Sequence, residues 1–242
     1  MGEMNNQFIT KMMNIDCFEG MALMESGSVT HVFTSPPYNR KRNDKYSHYD
    51  DTITDYKTFL RRTIDESLRL ATDYVFFNIQ KNYYNKKEVF DIIGEYSKEM
   101  IDIIIWNKFN PMPARGFNIT NAYEFIFVLS KNKTSLKSNR TYTKNTFMTN
   151  AFTNNEYTKI HKAVMHPEAC NYVIENFTKE GDVVLDMFMG VGTTALTCIE
   201  NKRKFIGFEI SEEYFNIALN RVEKTFGIKS EKVGGNFVYG RI

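Results

Sequence analysis

A hydroxyl, two prolines and an aromatic ring follow one another directly after an apolar run. Residues 34–39 read Thr-Ser-Pro-Pro-Tyr-Asn and come after Val29–Phe33, which predicts a strand. The prolines fix two φ angles and remove two amide donors, and each pushes the preceding residue toward extended geometry. The pattern predicts a stiff loop with acceptors at fixed positions beneath a flat ring, which suits an exocyclic amine on a nucleobase. Taken alone, the hexapeptide also fits an ordinary Pro-Pro turn.

A glycine-rich turn between two predicted strands is the second signal. Asp182–Asp186 is typical of a buried strand, and Lys204–Phe208 is predicted to be the next strand, followed by Glu209. Between them, Gly190 and Gly192 open a helix and let the backbone approach a ligand closely. With Glu209 nineteen residues after Gly190, the spacing also fits a dinucleotide fingerprint. The segment therefore predicts a nucleoside-containing cofactor without specifying which one.

The composition is that of a soluble globular protein. The chain is 42% hydrophobic and 25% charged. Its 242 residues are enough for one α/β domain or one domain with an insert. No apolar run approaches the roughly 20 residues that span a membrane, and the first ten residues contain no signal-peptide core. The three cysteines form neither a metal-ligand spacing nor a disulfide set. We expect a reducing, cytoplasmic location in a prokaryote or phage, and no metal site is suggested.

Positive charge is concentrated in one segment of the chain. The net charge is only +2, yet residues 107–162 contain nine basic and two acidic residues, so the segment carries +7 and the remainder −5. Clustered positive charge is typical of proteins that bind a phosphate backbone, although a solvated loop with excess lysine would look the same. Residues 131–155 are predicted to form a long polar loop, and long loops are usually functional or disordered.

Strands and helices alternate along the chain. This alternation predicts a mostly parallel sheet covered by helices on both faces. Trp106 and His31 fall inside apolar strands and are predicted to belong to the core, and the tail from Lys229 onward is expected to be loosely ordered. The predicted strands are 8–15, 29–33, 74–79, 101–106, 123–129, 183–186 and 205–208, and the predicted helices are 55–71, 82–98, 166–177, 195–201 and 211–226.

Together and in this order, the two motifs resemble the beta group of amino-group DNA methyltransferases that use S-adenosylmethionine. In that group a (D/N/S)-P-P-Y motif precedes the cofactor glycine loop, a circular permutation of the usual order. The first motif is matched by Ser35, Pro36, Pro37 and Tyr38. The second is matched by Asp186, Phe188, Gly190, Gly192, Thr193 and Thr194. The resemblance implies an α/β, Rossmann-like methyltransferase fold with a mostly parallel, doubly wound sheet, permuted motif order and a small basic recognition insert.

The resemblance also implies how the chain is divided. Residues 1–130 would form the catalytic half of the methyltransferase domain, and residues 161–228 would form its cofactor-binding half. Between them, residues 131–160 would be the basic loop that recognises the target. Residues 229–242 would be a polar tail.

Further cofactor-binding residues are implied by shorter matches. Asp16 and Cys17 resemble the segment that meets the adenine, and Glu209 matches the acid that binds the ribose. The segment that packs around the methionine half of the cofactor is matched by His161, Ala163 and Pro167. Met187 and Val191 replace a usual proline and serine in the glycine loop, and cofactor binding is expected to survive both changes.

The implied reaction is methyl transfer from S-adenosylmethionine to an exocyclic amine of a DNA base. Ser35 and the Pro36 carbonyl would accept from the amine N–H groups, and Tyr38 would stack on a base flipped out of the duplex. Methylation at cytosine carbon 5 would need a cysteine nucleophile, typically after proline, and no cysteine follows proline here. The S-P-P-Y form favours N4 of cytosine; N6 of adenine remains the alternative, since Ser, Asn and Asp all accept from N–H.

Polar and basic residues near the motif and in the basic segment are predicted to contact DNA. The small size of that segment favours a short target and a homodimer that covers more DNA. A cognate restriction endonuclease is a further expected partner. The predicted contacts are Asn39, Arg40, Lys41, Lys108, Arg115, Lys133, Lys137, Arg140 and Lys144.

Three other classes of protein account for less of the sequence. A nicotinamide dehydrogenase would explain the glycine loop but neither residues 35–38 nor the basic segment. An RNA or protein amino-methyltransferase would share the Pro-Pro-Tyr loop, but those that methylate glutamine carry it after the glycine loop. A catalytically silent DNA-binding relative is disfavoured because Ser35, Tyr38, Asp186 and Gly190 are all intact.

Overall fold

One sheet organises the protein. The computed structural model describes residues 10–40, 52–111, 119–150, 164–233 and 236–239. Its strands are β1 (Thr10–Asn14), β2 (Val29–Thr34), β3 (Ala71–Ile79), β4 (Met100–Lys108), β5 (Tyr123–Leu129), β6 (Thr146–Thr149), β7 (Val183–Asp186), β8 (Lys204–Glu209), β9 (Glu231–Val233) and β10 (Asn236–Tyr239). Its helices are α1 (Cys17–Ala22), α2 (Tyr56–Leu70), α3 (Lys86–Glu95), α4 (Pro167–Phe177), α5 (Thr193–Glu200) and α6 (Glu212–Phe226).

The sheet is mostly parallel, as the alternation of strands and helices predicted. Its strand order is β6-β4-β5-β3-β2-β7-β8-β1-β10-β9. Strands β3, β2, β7, β8 and β1 are all parallel to one another, and β6 is parallel to β4. Only β5 and β10 run against their neighbours. The fold is therefore the doubly wound, Rossmann-like sheet expected from the sequence.

The two strands that precede the sequence motifs are neighbours. β2 pairs with β7 in parallel, with His31 opposite Val184 and Val32 opposite Leu185. From this pair the chain builds outward in opposite directions, because β2 leads to β3 on one side and β7 leads to β8 on the other. In open α/β sheets such a switch point opens a crevice at the carboxyl ends of the strands, where ligands bind. The fold thus predicts a site at the ends of β2 and β7.

Helices cover both faces of the sheet, each through an apolar side of its own. Helices α1, α2 and α3 pack on one face, with Met21 and Ile64 fully buried there. Helices α4, α5 and α6 pack on the other, where Val173, Cys198 and Ala218 are fully buried. Burial of both faces explains why the central strands read as continuous apolar runs in the sequence.

Side-chain caps fix where the helices begin. The Asp55 carboxylate accepts from the Thr58 amide at 3.1 Å, and the Ser211 hydroxyl accepts from the Tyr214 amide at 3.4 Å. Each cap satisfies one of the amides that a first helical turn leaves without a partner. Gly227 ends α6 in the left-handed conformation, with φ 65°. These boundaries match the ones predicted from the sequence.

Several elements differ from the sequence-based prediction. Helix α3 begins at Lys86 rather than at residue 82, and α1 and β6 were not predicted. The tail beyond Lys229 was expected to be loosely ordered, and this was wrong. It contributes β9 and β10, and β10 pairs antiparallel with β1. The missed elements are short, three to six residues each, and most of their sequence carries too little hydrophobic periodicity to signal a helix or strand.

Two predicted core residues are buried. Trp106 is 5% exposed and its indole N–H donates to the Thr149 hydroxyl at 2.9 Å. His31 is 2% exposed, stacks on Tyr74, and its Nε2 lies 3.0 Å from the Asp182 carboxylate. Both side chains are buried, so both belong to the core as predicted.

Within the described ranges, none of the helices combines the length and the apolar character needed to cross a membrane.

Gly207 is a packing constraint at the centre of the sheet. A Cβ atom there would lie 2.5 Å from Cε1 of Phe205 and 2.6 Å from the sulfur of Met189, both buried. We therefore expect Gly207→Ala to lower the free energy of unfolding by about 1 to 3 kcal/mol through overpacking.

The matched control is Gly94→Ala in α3. A Cβ there would meet nothing within 4 Å, and alanine stabilises a helix over glycine by about 1 kcal/mol. Urea unfolding midpoints should move in opposite directions for the two variants. Equal midpoints for wild type and Gly207→Ala would contradict the packing described for β8.

Candidate active site

A hydrogen bond joins the two sequence motifs. Thr34, the last residue of β2, donates its hydroxyl to Oδ1 of Asp186, the last residue of β7, at 3.0 Å. Both side chains are buried and they are 152 residues apart in the chain. The bond fixes the start of the Pro-Pro loop against the start of the glycine loop, so the two motifs open on the same crevice.

The Asp186 carboxylate also holds the glycine loop. Its Oδ2 accepts from the Thr194 hydroxyl at 2.8 Å, and its Oδ1 accepts from the Phe188 amide at 3.1 Å. Burial disfavours the charged form and raises the pKa of Asp186 to about 6, although the three donors oppose that rise. The carboxylate is thus a structural anchor at the base of the crevice.

The glycine loop needs its glycines for conformation and for space. Gly190 and Gly192 adopt positive φ angles of 52° and 79°, a region that favours glycine. Gly192 caps α5, and a Cβ there would lie 2.9 Å from Cβ of Ala218. Arg221, which sequence reasoning missed, donates to the carbonyl of Val191 at 2.5 Å and lies 3.3 Å from the Thr193 hydroxyl. Helix α6 therefore supports the loop from behind.

Glu209 stands at the carboxyl end of β8, beside the glycine loop. One of its carboxylate oxygens accepts from the Gly190 amide at 2.9 Å, and the other accepts from the Ser211 amide at 2.8 Å. Burial raises the pKa of Glu209 above its usual range. A carboxylate oxygen accepts more than one hydrogen bond, so Glu209 can hold the loop and still accept from ribose hydroxyls.

Asp16 lies next to Glu209 because β1 pairs with β8. The amide of Ile15 donates to the Glu209 carbonyl at 3.1 Å. Asp16 caps α1, and its Oδ1 accepts from the amides of Phe18 at 2.8 Å and Glu19 at 3.3 Å. The structure thus brings the predicted adenine-binding acid to the site, where it also starts a helix. Burial raises the pKa of Cys17 to about 12.

Two other predicted cofactor residues lie beside the same loop. Phe188 packs against Phe59 of α2, with ring centroids 5.8 Å apart. Pro167 is the first residue of α4, whose Cys170 contacts Thr194 at 3.9 Å. The predicted residues His161 and Ala163 lie outside the described residues.

The loop after β2, residues 35–39, is here called the catalytic loop, and side chains from α2 and from the residues after β3 hold it in place. The Tyr56 hydroxyl donates to the Pro37 carbonyl at 2.7 Å. The side-chain amides of Asn82 and Asn85 both donate to the Tyr38 carbonyl, at 2.7 and 2.8 Å. The stiffness predicted from the two prolines is therefore reinforced by three hydrogen bonds to the loop backbone.

A polar network connects the catalytic loop to β3 and β5. The Tyr38 hydroxyl donates to the Glu124 carboxylate at 2.9 Å and lies 2.8 Å from the Ser35 hydroxyl. Because the single phenol proton goes to Glu124, the Ser35 hydroxyl donates to Tyr38. The Asn78 amide lies 3.2 Å from Ser35 and 2.9 Å from both Tyr38 and Glu124. Burial, with the charge of Glu124, raises the pKa of Tyr38 well above its usual range.

Lys108 belongs to this network rather than to an open basic surface. Its ammonium pairs with the other oxygen of Glu124, which is 4% exposed, and lies 4.9 Å from the centroid of the Trp106 ring. The sequence analysis assigned Lys108 to DNA and missed Asn78 and Glu124. Their signal was available, since Asn78 and Glu124 each interrupt an apolar run within a strand.

Four predicted DNA contacts lie away from the catalytic loop, three of them near the amino ends of the strands and Lys144 alongside the middle of β4. Lys133 pairs with Asp73 at 3.1 Å, near the start of β3 and about 16 Å along that strand from Asn78. Arg140 pairs with Glu175 at 2.8 Å, near the end of α4. The backbones of Lys137 and Lys144 bond to Tyr74 and Tyr172. The structure does not bring these four residues to the catalytic loop.

The residues directly after the motif are placed differently from one another. Asn39 is 3% exposed, and its side-chain amide bonds to the N–H and the carbonyl of Ile53 at 3.1 and 3.2 Å. Arg40 lies 5.5 Å from the centroid of the Tyr38 ring and donates to Gln80 at 3.0 Å. Of the predicted DNA contacts, Lys41 and Arg115 lie outside the described residues.

Comparison with known proteins identifies the family of the chain. A family model, N6_N4_Mtase, described as DNA methylase, matches residues 29–220, which include both motifs. The chain belongs to this family of DNA methylases, so the resemblance drawn from the two motifs is confirmed.

Curated relatives match over most of the chain. Type II methyltransferase M.Cfr9I of Citrobacter freundii is 28% identical over 85% of this chain and 87% of its own length. Type II methyltransferase M.HinfI of Haemophilus influenzae is 26% identical over 93% of this chain and 71% of its own length.

Solved methyltransferases share the fold. The PvuII DNA methyltransferase, described as cytosine-N4-specific, superposes with a TM-score of 0.70 at 19% identity, covering 86% of this chain and 84% of its own. The M1.HpyAVI complex with S-adenosylmethionine superposes with a TM-score of 0.63 at 25% identity, covering 88% and 98%.

The buried Asp186 carboxyl should produce a distinctive pH dependence. Its folded pKa of about 6 exceeds its usual 3.8, so the folded state binds this proton more tightly. The stability it contributes is full below pH 3.8 and lost as the pH rises through 6. Between pH 4 and pH 7, Asp186→Asn should therefore gain about 2 to 3 kcal/mol of unfolding free energy relative to wild type.

The control has the opposite sign. Burial raises the pKa of Asp182, but hydrogen bonds from His31 and the Lys179 amide outweigh it and the pKa is lowered from 3.8. The stability that this carboxylate contributes is present above pH 3.8 and lost as the pH falls through the lowered pKa. Asp182→Asn should therefore lose stability relative to wild type as the pH rises to about 4, and change little from there to about pH 7. Urea titrations at each pH measure both slopes. A flat difference between wild type and Asp186→Asn would contradict the anchor described here.

Lys108 should matter for stability more than an exposed cation does. Lys108→Met leaves the buried Glu124 carboxylate without its cation and should lower the free energy of unfolding by about 3 kcal/mol. Lys133→Met, which removes a half-exposed pair with Asp73, should cost less than about 1 kcal/mol.

Replacing both partners tests the same contact. The double variant Lys108→Met/Glu124→Gln should recover much of the loss, because it no longer buries an unpaired charge. If Lys108→Met is as stable as Lys133→Met and only binds DNA more weakly, Lys108 is the phosphate contact that the sequence predicted.

Proposed function

We propose that this DNA amino-methyltransferase transfers the methyl group of S-adenosylmethionine to the N4 amine of a cytosine flipped out of DNA. The observation that carries the proposal is the 3.0 Å hydrogen bond from Thr34 to Asp186. It sets Ser35, the next residue of the chain, beside the glycine loop, which would bind the cofactor. An amine held by Ser35 is thus held where a methyl donor on the glycine loop can reach it.

The residues at the crevice fit the cofactor. Gly190 and Gly192 bring backbone close to a ligand at the start of α5, and Glu209 offers carboxylate oxygens to the ribose. Asp16, next to Glu209 through the pairing of β1 with β8, would meet the adenine. When bound, S-adenosylmethionine supplies an electrophilic methyl group on its sulfonium sulfur. The remaining requirement is an acceptor nitrogen that the protein aligns and makes more nucleophilic.

Ser35 and the Pro36 carbonyl would hold that nitrogen. The exocyclic amine is a poor nucleophile because its lone pair is delocalised into the ring. Acceptors on both N–H groups favour a more tetrahedral nitrogen, whose lone pair points out of the ring plane and toward the methyl group. The Ser35 hydroxyl donates to Tyr38 and lies 3.2 Å from the side-chain amide of Asn78. The incoming amine would join a hydroxyl that its neighbours already orient.

The ring of Tyr38 would stack on the flipped base. The Tyr38 hydroxyl reaches Glu124 and Ser35, and its carbonyl accepts from Asn82 and Asn85. Anchored at both ends, the ring can offer a face to a base without losing much conformational entropy on binding. Flipping costs a few kcal/mol, which this stacking would help to offset.

The cysteines support transfer to an amine rather than to carbon 5 of cytosine. Cys17, Cys170 and Cys198 are all buried. Burial raises the pKa of Cys17 and of Cys170 to about 12 and that of Cys198 well above its usual range. Thiols in this state are not nucleophiles at neutral pH. A covalent intermediate at cytosine carbon 6 therefore has no residue to form it.

The preference for cytosine over adenine rests on Ser35 within the Ser-Pro-Pro-Tyr form of the motif. The PvuII enzyme, described as cytosine-N4-specific, shares the fold at 19% identity, which by itself assigns no base to this chain. A homodimer, a cognate restriction endonuclease and a target-recognition role for residues 131–160 stay predictions. Within that segment Thr149 lies beside the carboxyl end of β4, where its carbonyl accepts from the Phe109 backbone amide at 2.8 Å.

Product analysis tests the proposal directly. The purified protein is incubated with S-adenosylmethionine and mixed-sequence DNA, and the DNA is digested to nucleosides for mass spectrometry. N4-methylcytosine is the expected product. N6-methyladenine would keep the mechanism and overturn the base assignment, and no methylated nucleoside from protein that binds the cofactor would overturn the proposal.

Ser35 should affect turnover without affecting the cofactor. Ser35→Ala removes one acceptor for the amine, so kcat should fall by about 100-fold, the scale of losing one aligned hydrogen bond in an active site. The Kd for S-adenosylmethionine should be unchanged, because the cofactor loop is held by Asp186 and Glu209.

Tyr38→Phe is the comparison variant. It keeps the ring and removes the hydroxyl that contacts Ser35 and Glu124, so kcat should fall by less than about tenfold if stacking is the main role of Tyr38. Loss of cofactor affinity in Ser35→Ala, to the same extent as kcat, would mean that Ser35 does not act on the acceptor base.

A further inference from the structure

The loop that follows β3 exposes two aromatic rings at the carboxyl end of that strand, beside the catalytic loop. This segment, residues 80–87, comprises the loop and the first two residues of α3, and is here called the tyrosine loop. Tyr83 and Tyr84 are 66% and 48% exposed, and their ring centroids lie 5.3 Å apart. Tyrosine rings are usually more buried than this in a folded domain. Because they are exposed beside the catalytic loop, these rings can contact a ligand that binds there.

The tyrosine loop is tied to the catalytic motif by its own asparagines. The side-chain oxygen of Asn85 accepts from the backbone N–H of Asn82 at 2.6 Å. The side-chain oxygen of Asn82 accepts from the backbone N–H groups of Tyr84 and Asn85, at 2.7 and 3.1 Å. Both asparagines donate to the carbonyl of Tyr38. The two exposed rings are thus carried on a rigid turn anchored to the residue that would stack on the flipped base.

The same loop is strongly basic. Residues 80–87 contain three lysines and no acid, a net charge of +3. The Lys86 ammonium lies 5.6 Å from the ring of Tyr83, and that of Lys81 lies 5.5 Å from the ring of Tyr123. Arg40, which donates to Gln80, adds a fourth cation at the junction with the catalytic loop. Cations interleaved with aromatic rings suit a strand with phosphates and exposed base faces.

We propose that the tyrosine loop is a DNA-binding element, with Lys86 and Lys87 on the backbone phosphates and the Tyr83 and Tyr84 rings against bases beside the flipped nucleotide. The inference rests on the proposed function and extends it. Flipping a base leaves the faces of its neighbours unstacked, and an aromatic ring can cover such a face whatever the sequence. The sequence analysis assigned DNA contacts elsewhere, since it predicted residues 82–98 to be one helix.

Charge favours DNA over a second copy of the chain as the occupant. A twofold interface places the same patch on both subunits, so a dimer through this loop would bring two +3 segments together. A polyanion is attracted by the same charge. DNA is therefore the occupant that the loop complements.

Binding to a 25-base-pair duplex with one unpaired cytosine at its centre, followed by fluorescence anisotropy, tests the proposal, because an unpaired base leaves the stack at little cost. Tyr83→Ala/Tyr84→Ala should raise the Kd by about tenfold or more through lost stacking, whereas Tyr83→Phe/Tyr84→Phe should stay within about twofold because the ring faces remain. Lys86→Gln/Lys87→Gln should lower the slope of log Kd against log salt by about two. The Kd for S-adenosylmethionine should be unchanged in all three.

Matched controls lie on the opposite edge of the sheet. Leu23→Ala truncates a side chain that is 75% exposed at the end of α1, and Lys179→Gln/Lys202→Gln removes two exposed lysines where the chain enters β7 and β8. Both controls should bind DNA as wild type does. If the loop variants match these controls, the proposal is overturned. It is also overturned if they shift the oligomeric state by light scattering while their DNA affinity is unchanged.

The readouts separate this inference from the proposed function. Wild type that methylates DNA, with tyrosine-loop variants that bind and methylate equally well, would refute the loop and leave the function standing. Wild type that forms no methylated nucleoside, with variants that lose DNA affinity as expected, would support the loop and refute the enzyme.

Discussion

The Asp186 carboxylate is the point on which the active site depends. It accepts hydroxyl protons from Thr34 and Thr194 and an amide proton from Phe188, and so joins the end of β2, the glycine loop and the start of α5. A carboxylate this deeply buried is costly unless donors surround it. Those donors come from the two segments that carry the chemistry, so satisfying the carboxylate and assembling the site are one event.

A second buried acid organises the acceptor side. Glu124 lies at the start of β5, and because β5 runs antiparallel to β3 its first residues reach the same edge as the catalytic loop. Glu124 binds Lys108 on one oxygen and Tyr38 on the other. The antiparallel strand thus brings to the carboxyl edge a side chain that a purely parallel sheet would leave at the far end. Through Tyr38 and Asn78, this acid orients the hydroxyl of Ser35.

Positive charges lie at both the amino and the carboxyl ends of the strands, and the net charge of the chain does not show this arrangement. Lys133 and Arg140, from the basic segment, are paired with acids at the amino ends of the strands. The tyrosine loop, with +3 in eight residues, lies at the carboxyl ends beside Tyr38. The position of a positive charge relative to the candidate site therefore depends on the fold and cannot be taken from the charge count of a segment.

The sequence by itself determined the fold class and most helix boundaries, because buried parallel strands and capped helices have strong local patterns. It also determined that the Pro-Pro motif comes before the glycine motif along the chain. It also predicted the Ser35–Tyr38 and Gly190–Thr194 segments as one site, and the pairing of β2 with β7 brings them together. Tertiary structure decided the rest. Asn78 and Glu124 come from separate strands and become partners only through the register of β3 and β5. The placement of Lys108 beside Glu124, and of Lys133 far from the site, follows from strand direction, which no local pattern records.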